Sequence, residues 1–165
     1  MLKAIDNFVK EFLKATEKKP IRVISHLDTD GIASAAILAK TFKRLEKKFS
    51  IKIVRNLEKE TVEKELKRSK KEVIIFSDLA SGSLDYLQNL ENPIFILDHH
   101  EIDKEKLNKN IKIINPHLFD EIELCGAELC YLFSKSISNQ NIDLANLAVI
   151  GMIGDRHEEI NKINQ

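Results

Sequence analysis

With 165 residues the chain is long enough for one domain with a real core and short for two. Hydrophobic residues make up 43% and charged residues 32%, which excludes a disordered chain, and no apolar run approaches the roughly 18 residues of a membrane span. Lys+Arg and Asp+Glu are both 26, so bulk charge carries no nucleic-acid signal; a polyanion would have to be met by a local patch or by bound metal.

Taken in chain order, residues 2–18 are amphipathic and mixed in charge, which reads as a helix and not as a signal peptide. β-rich apolar runs follow at Ile21–Ser25, Ile51–Arg55, Val73–Ser77, Ile94–Leu97 and Ile111–Asn115. Helical stretches separate most of them, over about Ile32–Lys48, Lys59–Lys70 and Ser83–Asn89. The link from Glu101 to Asn110 has room for a helical turn. Two more helices, about Gly126–Ser138 and Leu144–Met152, close the pattern. Near-continuous apolar strands separated by helices predict an α/β domain: a parallel sheet of about five strands with helices on both faces. No linker or internal repeat divides the chain. Cys125 and Cys130 fall on one predicted helix without facing each other, so no disulfide is expected, and a reducing cytoplasm is the matching compartment.

In such folds, sites form at the carboxyl ends of the strands. Here the first strand runs into His26, Asp28 and Asp30, and the third into Asp78. The fourth runs into Asp98-His99-His100, the fifth into Asn115-Pro116-His117, and the last helix reaches Asp155. Each piece has a plain reading of its own. SHLDTDG suits a βα turn in which Asp30 caps a helix and Gly31 relieves the backbone. Asp78 and Asp155 would serve as turn or helix-end residues. Against this, His26, Asp28 and Asp30 in an extended segment would project to one side and repel unless a cation lay among them. Adjacent histidines after a central strand also need partners for several polar atoms. One can ligate a metal while a carboxylate orients it, leaving the second to face substrate. His157, flanked by Arg156 and two glutamates, reads as solvent-exposed, and the charges of Lys59–Lys71 as a solvated helix face with i,i+4 pairs.

Together these pieces resemble the DHH phosphoesterase family, named for its Asp-His-His motif. The first motif is similar to His26-Leu27-Asp28-Thr29-Asp30-Gly31, the second to Asp78, the third to Asp98-His99-His100 and the fourth to Gly154-Asp155. Asn115-Pro116-His117 followed by Cys125-Gly126-Ala127 resembles the stretch that the RecJ-like, archaeal-type branch places between its last two motifs, with Cys125 where serine is frequent. Four motifs in order make a specific signal.

The resemblance implies a two-ion site, usually of manganese, with magnesium as the alternative. Carried over, His26 and Asp28 would hold one ion, Asp30, His99 and Asp155 the other, and Asp78 would bridge them. Asp98, His100 and Asp78 would be the catalytic residues, with Asp98 supporting the histidines and His100 meeting the scissile phosphate. Asn115 and His117 are expected as further substrate contacts. Mixed imidazole and carboxylate ligands suit Mn²⁺ better than Ca²⁺, and two thiols at this spacing do not make a zinc site. Two ions about 3.5–4 Å apart can activate a shared water for in-line attack on phosphorus. The implied activity is that of a metal-dependent phosphodiesterase, foremost a RecJ-like exonuclease on single-stranded DNA or RNA. The alternatives are a phosphodiesterase or phosphatase for short oligonucleotides or small nucleotides, and a non-catalytic replisome scaffold. Implied partners are single-stranded nucleic acid and replication or repair proteins such as GINS-type complexes, with no membrane. Active relatives usually carry a second, smaller substrate-binding domain. Nothing in residues 1–165 reads as that domain, so a single catalytic DHH domain is expected. With no tryptophan and only Tyr86 and Tyr131, any base stacking would rest on phenylalanines.

Overall fold

A computed structural model of the chain describes residues 1–68, 71–88, 93–119 and 124–163. Helix α1 (Leu2–Ala15) leads into strand β1 (Ile21–His26), helix α2 (Thr29–Arg44), strand β2 (Phe49–Val54) and helix α3 (Lys59–Arg68). Strand β3 (Val73–Ser77) is followed by a 3₁₀ segment at Ser81–Leu87 and by β4 (Ile94–Leu97). Strand β5 (Ile111–Ile114), helix α4 (Gly126–Ile137), a 3₁₀ segment at Asn139–Leu144 and helix α5 (Ala145–Ile163) complete the order.

The five strands pair in parallel in the order β2-β1-β3-β4-β5. The chain therefore steps outward from β1 to β2, then returns past β1 to β3. Right-handed crossovers in opposite directions put α2 and α3 on opposite faces of the sheet. The reversal opens a crevice between the carboxyl ends of β1 and β3, where doubly wound folds bind ligands.

The two faces are unequal. On one, α1, α2, α4 and α5 pack over Val23, Val73, Ile75, Phe95, Leu97 and Ile114. Helix α1 contributes Ile5, Phe8, Val9 and Phe12, the one-sided stripe of an amphipathic helix. Phe12 meets Phe95 and Phe133 edge-on, with ring centroids 5.1 and 5.2 Å apart. The other face is covered more thinly by Val62 of α3 and by Leu84 and Leu87 of the 3₁₀ segment, over Ile24, Ile74, Phe76 and Ile96. Every residue of β3 and β4 is buried, which explains their unbroken apolar sequences, while edge strand β2 leaves Ile51 and Ile53 exposed. Six of the eight phenylalanines are buried, so the expectation that phenylalanines supply base stacking does not hold for them.

The expected strands β3 and β4 coincide with the observed ones, and the others differ by one or two residues at an end. The larger departures are helical. Helix α2 begins at Thr29 instead of Ile32, because Asp28 caps it by accepting a hydrogen bond from Gly31 N at 2.7 Å. Asp30 therefore lies in the first helical turn, and the expectation of an extended 26–30 segment with three side chains in a row is corrected. The stretch expected as a helix at Ser83–Asn89 is 3₁₀ over Ser81–Leu87, its end at Asn89 lying outside the described residues, as do the expected last residues of α3. Helix α5 runs on to Ile163, so Asp155 sits inside a helix and not at its end.

Candidate metal centre

The crevice is built from strand ends. β1 delivers His26 and, through the turn into α2, Asp28 and Asp30; β3 delivers Asp78; β4 delivers Asp98, His99 and His100. Asp155 arrives from α5, which is brought close by small residues. A Cβ on Gly151 would come within 2.6 Å of Asp30 Oδ1, and one on Gly126 within 2.9 Å of Asp78 Oδ1. Only glycine permits α4 and α5 to approach the carboxylates so closely.

Three sets of ligand-type atoms, each mutually within 4.8 Å, result: His26, Asp28 and Asp78; Asp30, His99 and Asp155; and Asp78, His99 and His100. Asp78 belongs to two of them and stands between the first two. Its backbone is left-handed, with φ 58°, and Ala80 follows with φ 96°. Such angles cost a non-glycine residue about 1–3 kcal/mol and persist where the surroundings enforce them. Here Asp78 N donates to Leu97 O at 2.9 Å, holding the turn against β4.

Asp78 is 1% exposed, yet among the described residues neither of its oxygens makes a hydrogen bond of good geometry. His99 Nε2 stands 3.2 Å from Oδ1 and His26 Nδ1 3.6 Å from Oδ2. Buried carboxylate oxygens without hydrogen bonds are rare and costly, and a cation is the partner that this geometry suits. The donor set of imidazoles and carboxylates fits a divalent ion of manganese type. Burial pushes the Asp78 carboxyl up to about 7, with Asp30 and Asp28 adding to it and His26 and His99 opposing. Asp78 in turn lifts His26 to about 9 against burial, helped by Asp28, whose Oδ2 lies 2.5 Å from His26 Nδ1. Burial opposes a charge on His99, but Asp78, Asp155 and Asp30 outweigh it and raise this group to about 9 as well.

Asp30 is held from behind. The first turn of α4 points Gly126 N and Ala127 N at it, at 2.6 and 2.8 Å, so the positive end of a helix dipole offsets the buried charge. Asp98 is wholly buried and belongs to none of the three sets. It accepts from Ser81 N at 2.7 Å, His99 N at 2.8 Å and His100 Nδ1 at 2.7 Å. Burial would raise its carboxyl, but His100 and Ser81 prevail and hold it at about 2. The same contact with Asp98 raises His100, whose side chain remains 50% exposed.

Two expected contacts are placed differently. Asn115 is fully buried, and its amide donates to Ser81 Oγ and His100 O, both at 2.9 Å. His117 is exposed on the turn after β5 and belongs to none of the three sets. The side chain of His157 lies outside those described. Cys125 and Cys130 are free and buried, and burial pushes both thiols up.

Sequence reasoning missed the neighbouring wall. A cavity of about 300 Å³ opens beside His26, Asp78 and His100, bounded by Arg55, Asn56 and Ser83. Arg55 and Asn56 follow the carboxyl end of β2, the same kind of position that exposed the other motifs. Counting Arg55 as the last residue of a strand hid it.

Residues 20–152 match the DHH family, N-terminal domain. An uncharacterized protein of Methanocaldococcus jannaschii is 39% identical over 142 residues, covering 82% of this chain and 32% of that protein. The chain thus spans about a third of the length of this relative. Among solved structures, the exonuclease RecJ bound to manganese superposes with a TM-score of 0.79 at 23% identity, over 94% of this chain and 44% of that one. CDC45 from Entamoeba histolytica gives 0.70 at 22%, over 92% and 34%. At these identities the structural likeness shows a shared fold. The family match, the relative and the sheet with its motif residues agree: the chain belongs to the DHH family.

Proposed function

We propose that this protein is a two-ion, manganese-dependent phosphodiesterase that removes nucleotides from the ends of single-stranded DNA or RNA, in the manner of RecJ-like exonucleases. The observation that carries the reading is Asp78: a buried carboxylate that, among the described residues, makes no hydrogen bond of good geometry, grouped with His26 and Asp28 and 3.2 Å from His99 of the second set. In this reading His26, Asp28 and Asp78 hold one ion, and Asp30, His99, Asp155 and Asp78 the other. The ions supply Lewis acidity and an activated water at neutral pH. The chain's own residues do the rest. Asp98 accepts from His100 Nδ1, which leaves Nε2 as the ring nitrogen that, when it also carries a proton, can donate to a phosphate oxygen. Arg55, on the wall of the adjoining cavity, offers a positive fork to the phosphate. The helix end at Gly126 keeps Asp30 oriented through two backbone N–H donors.

The modest size of that cavity favours a second reading, hydrolysis of short oligonucleotides or small nucleotides by the same residues. One assay separates the two: Mn²⁺-dependent cleavage of end-labelled single strands against di- and trinucleotides. Preference for long strands, with binding that weakens as salt rises, is expected for the exonuclease. Asp78→Ala should lower cleavage by more than the roughly 10–100-fold that losing an outer-shell partner costs. Cleavage that survives this substitution would remove the bridging role. A protein that neither binds Mn²⁺ nor cleaves would remove the catalytic reading and leave the non-catalytic scaffold as the alternative.

A further inference from the structure

His100 is the one histidine of the crevice held on three sides by groups that touch no metal set of their own. Asp98 Oδ1 accepts from its ring Nδ1 at 2.7 Å and from its backbone N at 3.3 Å. Its carbonyl is taken by Asn115 Nδ2 at 2.9 Å. The same Nδ2 donates to Ser81 Oγ at 2.9 Å, and Ser81 N donates to the other oxygen of Asp98 at 2.7 Å. Asn115 Oδ1 is itself fixed by His117 N at 2.9 Å. A closed ring of hydrogen bonds, Asn115–Ser81–Asp98–His100–Asn115, results, and Ser81, Asp98 and Asn115 are each no more than 1% exposed.

The ring joins three strand ends that share no regular structure there. His100 lies in the segment after β4 that forms no helix or strand before Lys104. Ser81 opens the 3₁₀ segment behind the strained residues Asp78 and Ala80, and Asn115 directly follows β5. Within this ring Asp98 alone holds the His100 ring, while Asn115 holds the peptide that carries it. Without Asn115, the His100 carbonyl and the Ser81 hydroxyl lose their buried partner, and the segment can turn about the Asp98 contact.

We propose that Asn115 is a positioning residue that sets the His100 ring through the main chain of residue 100 and through Ser81. Its catalytic consequence rests on the phosphodiesterase reading above; its structural claim does not. The test uses Asn115→Ala, Asn115→Asp, which keeps the size but loses both N–H donors, and Ser81→Ala, which removes one acceptor while sparing Ser81 N–H.

Two readouts are needed. In long-range ¹H–¹⁵N spectra of the imidazoles, His100 of the native protein is expected as a single form protonated at Nδ1. Both Asn115 variants should average or lose that signal while the Nδ1 and Nε2 signals of His26 and His99 stay. In Mn²⁺-dependent hydrolysis, kcat should fall on the order of 100-fold, as for other small misplacements of a reacting group, with KM and the Mn²⁺ requirement nearly unchanged. Ser81→Ala should do less, and Ser81→Ala with Asn115→Ala no more than Asn115→Ala alone, since both cut one ring. A packing role would lower Tm but leave the His100 signal and kcat at native values, and that result overturns the proposal. Should Asn115→Ala not fold, native values of both readouts in Ser81→Ala overturn it equally. If the native protein cleaves nothing, the phosphodiesterase reading falls while the imidazole spectra still decide the role of Asn115.

Discussion

Asp98 shows how much a single acid can do without touching the chemistry. It is buried at 0% exposure and remains ionised because donors from Ser81, His99 and His100 converge on it. Hydrogen bonds to a charged group contribute about 1.5–3 kcal/mol each. Asp98→Asn keeps the shape but turns an NH₂ toward one of these donors. Chemical denaturation at neutral pH should therefore show a loss of about 2–3 kcal/mol. At this scale the sequence was readable where motif and chemistry coincide: Asp98 as support, and His99 and His100 with different neighbours. It was not readable for Asn115, because a strand-end residue looks the same whether its side chain faces a cleft or a buried carbonyl. Nor could spacing indicate that Asp28, and not Asp30, caps α2.

Among the elements, α3 is the instructive one. Its charges read as a solvated face, and most are, yet Glu65 is 5% exposed and bonds Arg22 Nε of β1 at 2.8 Å and Lys52 Nζ of β2 at 3.0 Å. Local i,i+4 patterning carries no information about a partner 43 positions away. Burial would raise the Glu65 carboxyl, but Arg22 and Lys52 outweigh it and hold it below its ordinary 4.5. A depressed carboxyl stabilises the fold above its unfolded value and loses that contribution as pH falls through the folded one. Thermal unfolding should thus drop below about pH 4.5, and Glu65→Gln should flatten that part of the profile. At neutral pH the same variant leaves Arg22 buried without its partner, which should cost about 3 kcal/mol or more. The strands, by contrast, were legible to within a residue or two, because β3 and β4 are buried on both faces and their composition reports it.

For the whole molecule, the ligand-type atoms come from the ends of β1, β3 and β4 and from α2 and α5, so a bound ion would tie together most of the fold. A ligand that binds only the folded state at 100 times its Kd adds about 2.7 kcal/mol. For a domain of this size that is a rise in Tm of roughly 5–10 °C. Titrating Mn²⁺ into metal-free protein and following Tm should show this rise, EDTA should reverse it, and Asp78→Ala should abolish it. The overall arrangement was legible because four strand ends and one helix carried candidate residues in sequence order. The approach of α4 and α5 was not, since it depends on Gly126 and Gly151 meeting carboxylates more than 40 positions away.

The docking of α5 through Gly151 and Gly154 also sets a timetable. A chain emerging from the ribosome exposes β1, β3 and β4 first, and domains settle from the N-terminal side as they are made. Until Asp155 and the glycines before it are out, Asp30 and His99 lack the third member of their set and Asp30 lacks the wall beside it. The unfinished polypeptide, held next to the RNA that encodes it and the RNA that builds it, carries an incomplete centre. On the phosphodiesterase reading, activity would wait for α5.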